Sequence, residues 1–204
     1  MALALALGGA LGCPHAVAPA LPPSTLDPVV LGDADVRWYD VRGHDVRSLR
    51  ESLRAAAPLN EAGEHVNGDT RWVTTWSWKG GGEPCRVEQV SFDLSVIVSL
   101  PRWTPDPGTD PALVEQWRAY LEALGVHERG HVDLVTAEVA QLDDILRGTP
   151  CADADGVGAT TLDAIRALNE DYDVRTEHGR LQGARFWSAP EWGADLDAEA
   201  GFAE

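Results

Sequence analysis

The sequence predicts an α+β domain in which a small antiparallel sheet packs on a long helix carrying His127-Glu128-Arg129-Gly130-His131, with additional helices around it. Three observations lead there. Residues 87–100 alternate, with Val90, Phe92, Leu94, Val96, Val98 and Leu100 on one face and Ser91, Asp93, Ser95 and Ser99 on the other; Ile97 breaks the pattern. Leu113, Trp117, Leu121, Leu124, His131, Leu134, Val135, Val139, Leu142 and Leu146 recur at helical spacing. Two histidines four residues apart inside that helix share one face.

The elements follow in order along the 204 residues. Residues 1–13 form an apolar run ending at Leu11-Gly12-Cys13 and read as an export segment, although no Lys or Arg precedes the run. The ending is similar to that of a bacterial lipoprotein signal, which makes Cys13 a candidate for lipidation; an ordinary cleaved signal is the alternative. The expected location is exported, whether periplasmic, outer-envelope lipoprotein or secreted. Residues 14–34 are a Pro-rich tether and residues 35–186 the folded domain. Residues 36–41 have the β-branched and aromatic content of a strand. Asp45 then caps a helix that carries Val46, Leu49, Leu53 and Ala56 and stops at Pro58. Residues 71–78 and 87–100 are strands joined by a breaker-rich connection, and Pro101 ends the second. Asp110-Pro111 starts the long helix, which runs either unbroken for about 37 residues or breaks at Gly125. A further helix covers residues 161–169, a polar segment 170–186, and an acidic tail 187–204.

Composition excludes several classes. Thirty-three acidic against 16 basic side chains set the net charge at −17, which repels nucleic acid and anionic lipid alike. No apolar run reaches membrane-spanning length, so membrane contact is expected only through a lipid anchor at Cys13. With Cys13 lipidated or removed, Cys85 and Cys151 remain as an even pair. An oxidising compartment would join them and stabilise the fold by about 3–4 kcal/mol.

Residues 127–131 are an H-E-x-x-H. Two imidazoles one turn apart can hold one ion while Glu128 reaches a water on it. The helix supplies only two ligands, however, and a catalytic zinc takes three protein ligands and keeps one open position. Glu138 shares the face but lies two turns further on. Downstream candidates for the third ligand are Glu170, Asp173, Glu177 and His178. His15, His44 and His65 sit in the tether or in turns and read as solvated. Gly130 inside a helix suggests that something approaches that face closely.

The order W-Y-D-V-R-G, W-V-T-T-W-S-W, the Cys85 strand ending in S-L-P-R-W, Trp117 ahead of H-E-R-G-H-V-D, Cys151 and finally Y-D-V-R-T-E-H-G-R-L-Q-G-A-R-F resembles the predicted secreted zinc-dependent protease family of bacteria, a domain of unknown function. The resemblance spans roughly residues 35–186. It implies a zincin-like fold, a Zn2+ cofactor and hydrolysis of a peptide or protein substrate. The family's T-x-H-G falls on Thr176, His178 and Gly179, which favours His178 as third metal ligand beside His127 and His131, with Glu177 or Asp173 as alternatives. In the implied mechanism Glu128 is the general base, Tyr172 a candidate donor to the oxyanion, and the strand of residues 87–100 the edge to which substrate adds.

Two other classes stand beside this reading. A non-catalytic zinc-binding envelope protein would use the same histidines but has no need of Glu128. A Trp-rich module for peptide or glycan would use Trp72, Trp76 and Trp78, whose shared parity is also what a core shows; the core reading is favoured.

Overall fold

Alternating apolar positions need a partner surface, and the long helix supplies it. The computed structural model describes residue 31, residues 34–60 and residues 63–186. The export segment with Cys13, residues 14–30 of the tether and the tail 187–204 lie outside the described residues. Three strands, β1 (Asp35–Val41), β2 (Asp69–Gly81) and β3 (Arg86–Trp103), form one sheet in the order β1-β3-β2. Four helices accompany them: α1 (Val46–Ala56), α2 (Pro111–Ala140), α3 (Leu142–Leu146) and α4 (Ala154–Thr176).

The α+β class stands, but the sheet is mixed rather than antiparallel. β2 and β3 form an antiparallel hairpin, whereas β1 runs parallel to β3. The physical reason is connectivity: α1 and β2 intervene between β1 and β3, giving the chain the length that a parallel pairing needs. β3 is therefore the central strand, bonded on both sides, and β2 is an edge; the substrate edge expected at residues 87–100 has to move to β2 if it exists. Pro101 does not end β3 either. The pairing with β2 stops at Ser99, so beyond it β3 has a partner on one side only, and a residue without an N–H is tolerated there.

α1 begins as its sequence requires: the Ser48 N–H donates to Asp45 Oδ1 at 2.7 Å and the Asp45 N–H to Ser48 Oγ at 3.2 Å, a reciprocal cap. Asp110 caps α2 by accepting from the Ala112 N–H at 2.9 Å. α2 passes through Gly125 unbroken and stops at Gln141, where the amide donates to Glu138 O at 3.1 Å in a tighter turn. The bend lets Leu142 and Leu146 of α3 reach full burial.

α4 is longer than residues 161–169 at both ends. Gly156 and Gly158 hide its start, because glycine argues against helix by propensity. At Gly158 the reason is packing: an added Cβ would lie 2.4 Å from the Trp76 ring. Its polar C-terminal half is helical because one face serves the site described below, while the other is laced by pairs such as Arg175 Nε to Asp171 Oδ2 at 2.7 Å.

The core has two parts. Trp103, Trp117, Tyr120, Phe186 and the α1 leucines form one cluster around β1, β3 and the first half of α2. Val135, Val139, Leu142, Leu146 and Ile165 form the other, with Trp72, Trp76 and Trp78 packed against it. Trp78 Nε1 donates to Asp155 Oδ1 at 2.9 Å, and Arg166 lies 5.5 Å over the Trp72 ring. These tryptophans fasten the sheet to α4 from inside, as the core reading expects. Gly158→Ala is expected to destabilise the protein. Overpacking costs about 1–3 kcal/mol, more than the roughly 1 kcal/mol that alanine contributes as a helix former. Denaturant unfolding reads the difference, and an unchanged or raised midpoint would mean that Trp76 yields freely.

Cys85 and Cys151 are joined in a disulfide that ties the β2–β3 turn to the start of α4. The bond fits an oxidising, exported location. No helix among the described residues is long and apolar enough to cross a membrane.

Candidate metal centre

His127 and His131 lie one turn apart on the buried face of α2, with only 4% and 7% of their surface exposed. α4 crosses beside them and brings Asp173. Both imidazole Nε2 atoms lie 3.1 Å from Asp173 Oδ1, and the ligand-type atoms of the three residues all fall within 4.8 Å of one another. Each imidazole is held from behind. His127 Nδ1 is 2.9 Å from Gln182 Oε1, and His131 Nδ1 is 2.9 Å from Asn169 Oδ1. Burial alone would raise the Asp173 carboxyl pKa, but hydrogen bonds from the two rings hold it well below the usual carboxylate range. Burial likewise disfavours the charged His131 ring, yet Asp173 outweighs it, so the imidazole titrates above its ordinary value in the metal-free site.

The third position of this cluster is taken by Asp173, not by His178. Glu177, His178 and Gly179 adopt three consecutive left-handed conformations, with φ of 49°, 50° and 79°. That turn swings the His178 side chain outward, leaving it 77% exposed, with Nδ1 3.5 Å from Asp173 Oδ1. Glu177 pairs with Arg180 instead. The other members of the T-x-H-G stretch brace His127: Thr176 Oγ1 accepts from the Gly179 N–H at 3.3 Å, and a Cβ on Gly179 would lie 2.9 Å from His127 Cγ. The positive φ and the close approach together require glycine there.

Tyr172 is not placed as an oxyanion donor. Its ring stacks on His127 at 5.2 Å between centroids, its hydroxyl donates to His127 O at 3.3 Å, and the same hydroxyl accepts from Gln182 Nε2 at 3.0 Å. It also explains Gly130, where an added Cβ would lie 2.0 Å from the Tyr172 hydroxyl.

Glu128 is 2% exposed. Its carboxylate meets the first residues of edge strand β2: Thr70 Oγ1 donates to Oε2 at 2.6 Å, and Gly68 packs so closely that a Cβ would lie 2.1 Å from Oε1. Tyr39 donates to Asn67 O at 2.7 Å and so holds this segment down. Burial pushes the Glu128 pKa up, and the Thr70 hydrogen bond together with the nearby imidazoles only partly offsets it.

Sequence reasoning missed Asn169, Gln182, Thr70 and Gly68. Asn169, Tyr172, Asp173 and Thr176 share one helical face, a spacing that reads as a site only once α4 extends past residue 169. Nothing local marks Thr70 or Gly68, which reach Glu128 from 58 and 60 residues away.

No curated protein and no solved structure matches the chain. A comparison with protein families matches residues 36–179 to a bacterial protein family of unknown function. The matched span covers well over half of the chain and contains His127, Glu128, His131 and Asp173, and the chain belongs to that family, DUF922.

Proposed function

We propose that the chain is a zinc-dependent peptidase in which His127, His131 and Asp173 hold the metal and Glu128 is the general base. The donor set supports the metal: two imidazoles with their second nitrogens engaged and one carboxylate form a three-ligand set of the kind that leaves a catalytic zinc an open position. The observation that carries the catalytic reading is Glu128, a buried carboxylate next to the first ligand, held at Oε2 by the Thr70 hydroxyl. A structural zinc site has no use for such a group.

When bound, zinc supplies Lewis acidity, polarising a scissile carbonyl and making a water acidic near neutral pH. Thr70 anchors the Glu128 carboxylate at Oε2, and the carboxylate takes the proton of the attacking water and returns it to the leaving amine nitrogen. A raised carboxyl pKa suits that return step. The outer edge of β2, which no other described strand pairs and which begins beside Glu128, is where an extended peptide would add.

Elemental analysis of the purified protein tests the reading together with peptide hydrolysis before and after chelation. One zinc per chain, activity lost on removal and regained on zinc addition are expected. The metal should also leave on acidification: both Nε2 atoms must be bare to bind, and His131 takes up a proton at a pH above its ordinary value when the metal is absent. Zinc content that holds steady down to pH 4, or hydrolysis that survives complete metal removal, overturns the proposal.

A further inference from the structure

Both imidazoles of the candidate centre lean on neutral amides where a carboxylate would be the stronger acceptor. We infer that Asn169 and Gln182 are the positioning residues of the metal site, setting the tautomer and orientation of His131 and His127 and limiting how tightly the metal is held. The inference rests on the metal reading above and deepens it.

The hydrogen-bond network settles which way each amide points. Asn169 Nδ2 donates to Ile165 O at 2.9 Å, and a carbonyl oxygen can only accept, so Oδ1 must be the atom facing His131 Nδ1. Gln182 Nε2 faces the Tyr172 hydroxyl at 3.0 Å. That hydroxyl gives its own proton to His127 O, so it accepts from Gln182, and Oε1 is left for His127 Nδ1. Each amide oxygen therefore demands an N–H at the imidazole Nδ1. Once the proton that Nε2 gives Asp173 in the metal-free site is lost, the neutral ring would carry its lone pair on Nε2, the atom aimed at Asp173 in both cases.

The two amides differ in where they come from. Asn169 stands on α4 one turn before Asp173, so a single helix delivers a ligand and the support of another ligand. Gln182 arrives from the short 3-10 turn (Arg180–Gln182) that follows the left-handed stretch at residues 177–179. The strained turn thus has a product: it returns the chain over His127 and closes the loop from Gln182 through Tyr172 to the His127 carbonyl. Neutral acceptors push less electron density through the imidazoles than carboxylates would, which leaves the bound ion more electrophilic and less tightly held.

The test is zinc affinity of the full chain, measured by competition with a chromophoric chelator, for Asn169→Ala, Gln182→Ala, Asn169→Asp and Gln182→Glu. The alanine variants are expected to lose about 10–100-fold in affinity. The acidic variants still accept from Nδ1 but lose the donor to Ile165 O or to the Tyr172 hydroxyl, and are expected to keep markedly more affinity than the alanine variants. The electronic spectrum of the Co2+-loaded protein should shift in the acidic variants as the ligand field strengthens. Zinc held equally tightly by both alanine variants overturns the inference. So does equal weakening in the alanine and acidic variants, which would trace the loss to packing alone. Absence of zinc from the unaltered protein would instead strike down the metal reading itself.

Discussion

Glu128→Gln is expected to keep the metal and to lose peptide hydrolysis by about a hundred- to ten-thousand-fold, the range over which a positioned general base contributes. The amide is nearly isosteric and its oxygen can still accept from Thr70 Oγ1, so the contact that anchors this side chain survives. What disappears is the ability of the carboxylate to take a proton. Glu128 is not among the clustered ligand atoms, so zinc stoichiometry should not change. Removing a buried carboxylate whose pKa is already pushed up also removes a desolvation cost, so the variant should be at least as resistant to denaturant. Full zinc with undiminished hydrolysis would leave the catalytic reading without its base.

Asp173→Ala and His178→Ala form the second decisive pair, and their expected outcomes are opposite. Asp173→Ala should lose zinc by more than the roughly 10–100-fold that removal of an outer partner causes, because it deletes the oxygen on which both imidazoles converge. His178→Ala should retain stoichiometric zinc, because its ring is largely exposed and outside the cluster. The left-handed backbone at residue 178 suits alanine somewhat less than histidine, so denaturant unfolding of the variant serves as the control for the turn. Loss of zinc in His178→Ala with retention in Asp173→Ala would return the third ligand to the histidine.

The contrast between those two residues marks the limit of sequence reading here. Ligand chemistry and a family motif both favoured His178, and nothing in the local sequence argues otherwise. The choice depends on three successive left-handed residues after α4, a conformation that histidine and glutamate rarely take and that composition does not announce. The same applies to Tyr172. Its residue type suits an oxyanion donor, but its hydroxyl is committed to His127 O and Gln182.

Elements with a strong period were legible. The alternation of β3, the capped starts of α1 and α2, and the placement of His127 and His131 on one helix face all follow from 2.0- and 3.6-residue repeats and short-range hydrogen bonds. The pairing of Cys85 with Cys151 followed from setting Cys13 aside with the export segment, which leaves an even pair for an oxidising compartment to join. Elements whose residues answer to distant partners were not. Gly158 weakens the helical signal of α4 so that Trp76 can pack, and the polar face of residues 169–176 looks like loop until α2 lies against it.

By itself, then, the sequence determined the α+β class and the placing of two histidines on one face of α2 with a carboxylate between them, because spacing along a helix is enough to bring those three groups together. The tertiary structure decided the parallel placement of β1, the edge position of β2, the carboxylate that completes the cluster and the amides that hold the imidazoles. Each of these depends on contacts between residues tens of positions apart. Loop connection and close packing select such contacts, and a local repeat carries no record of them.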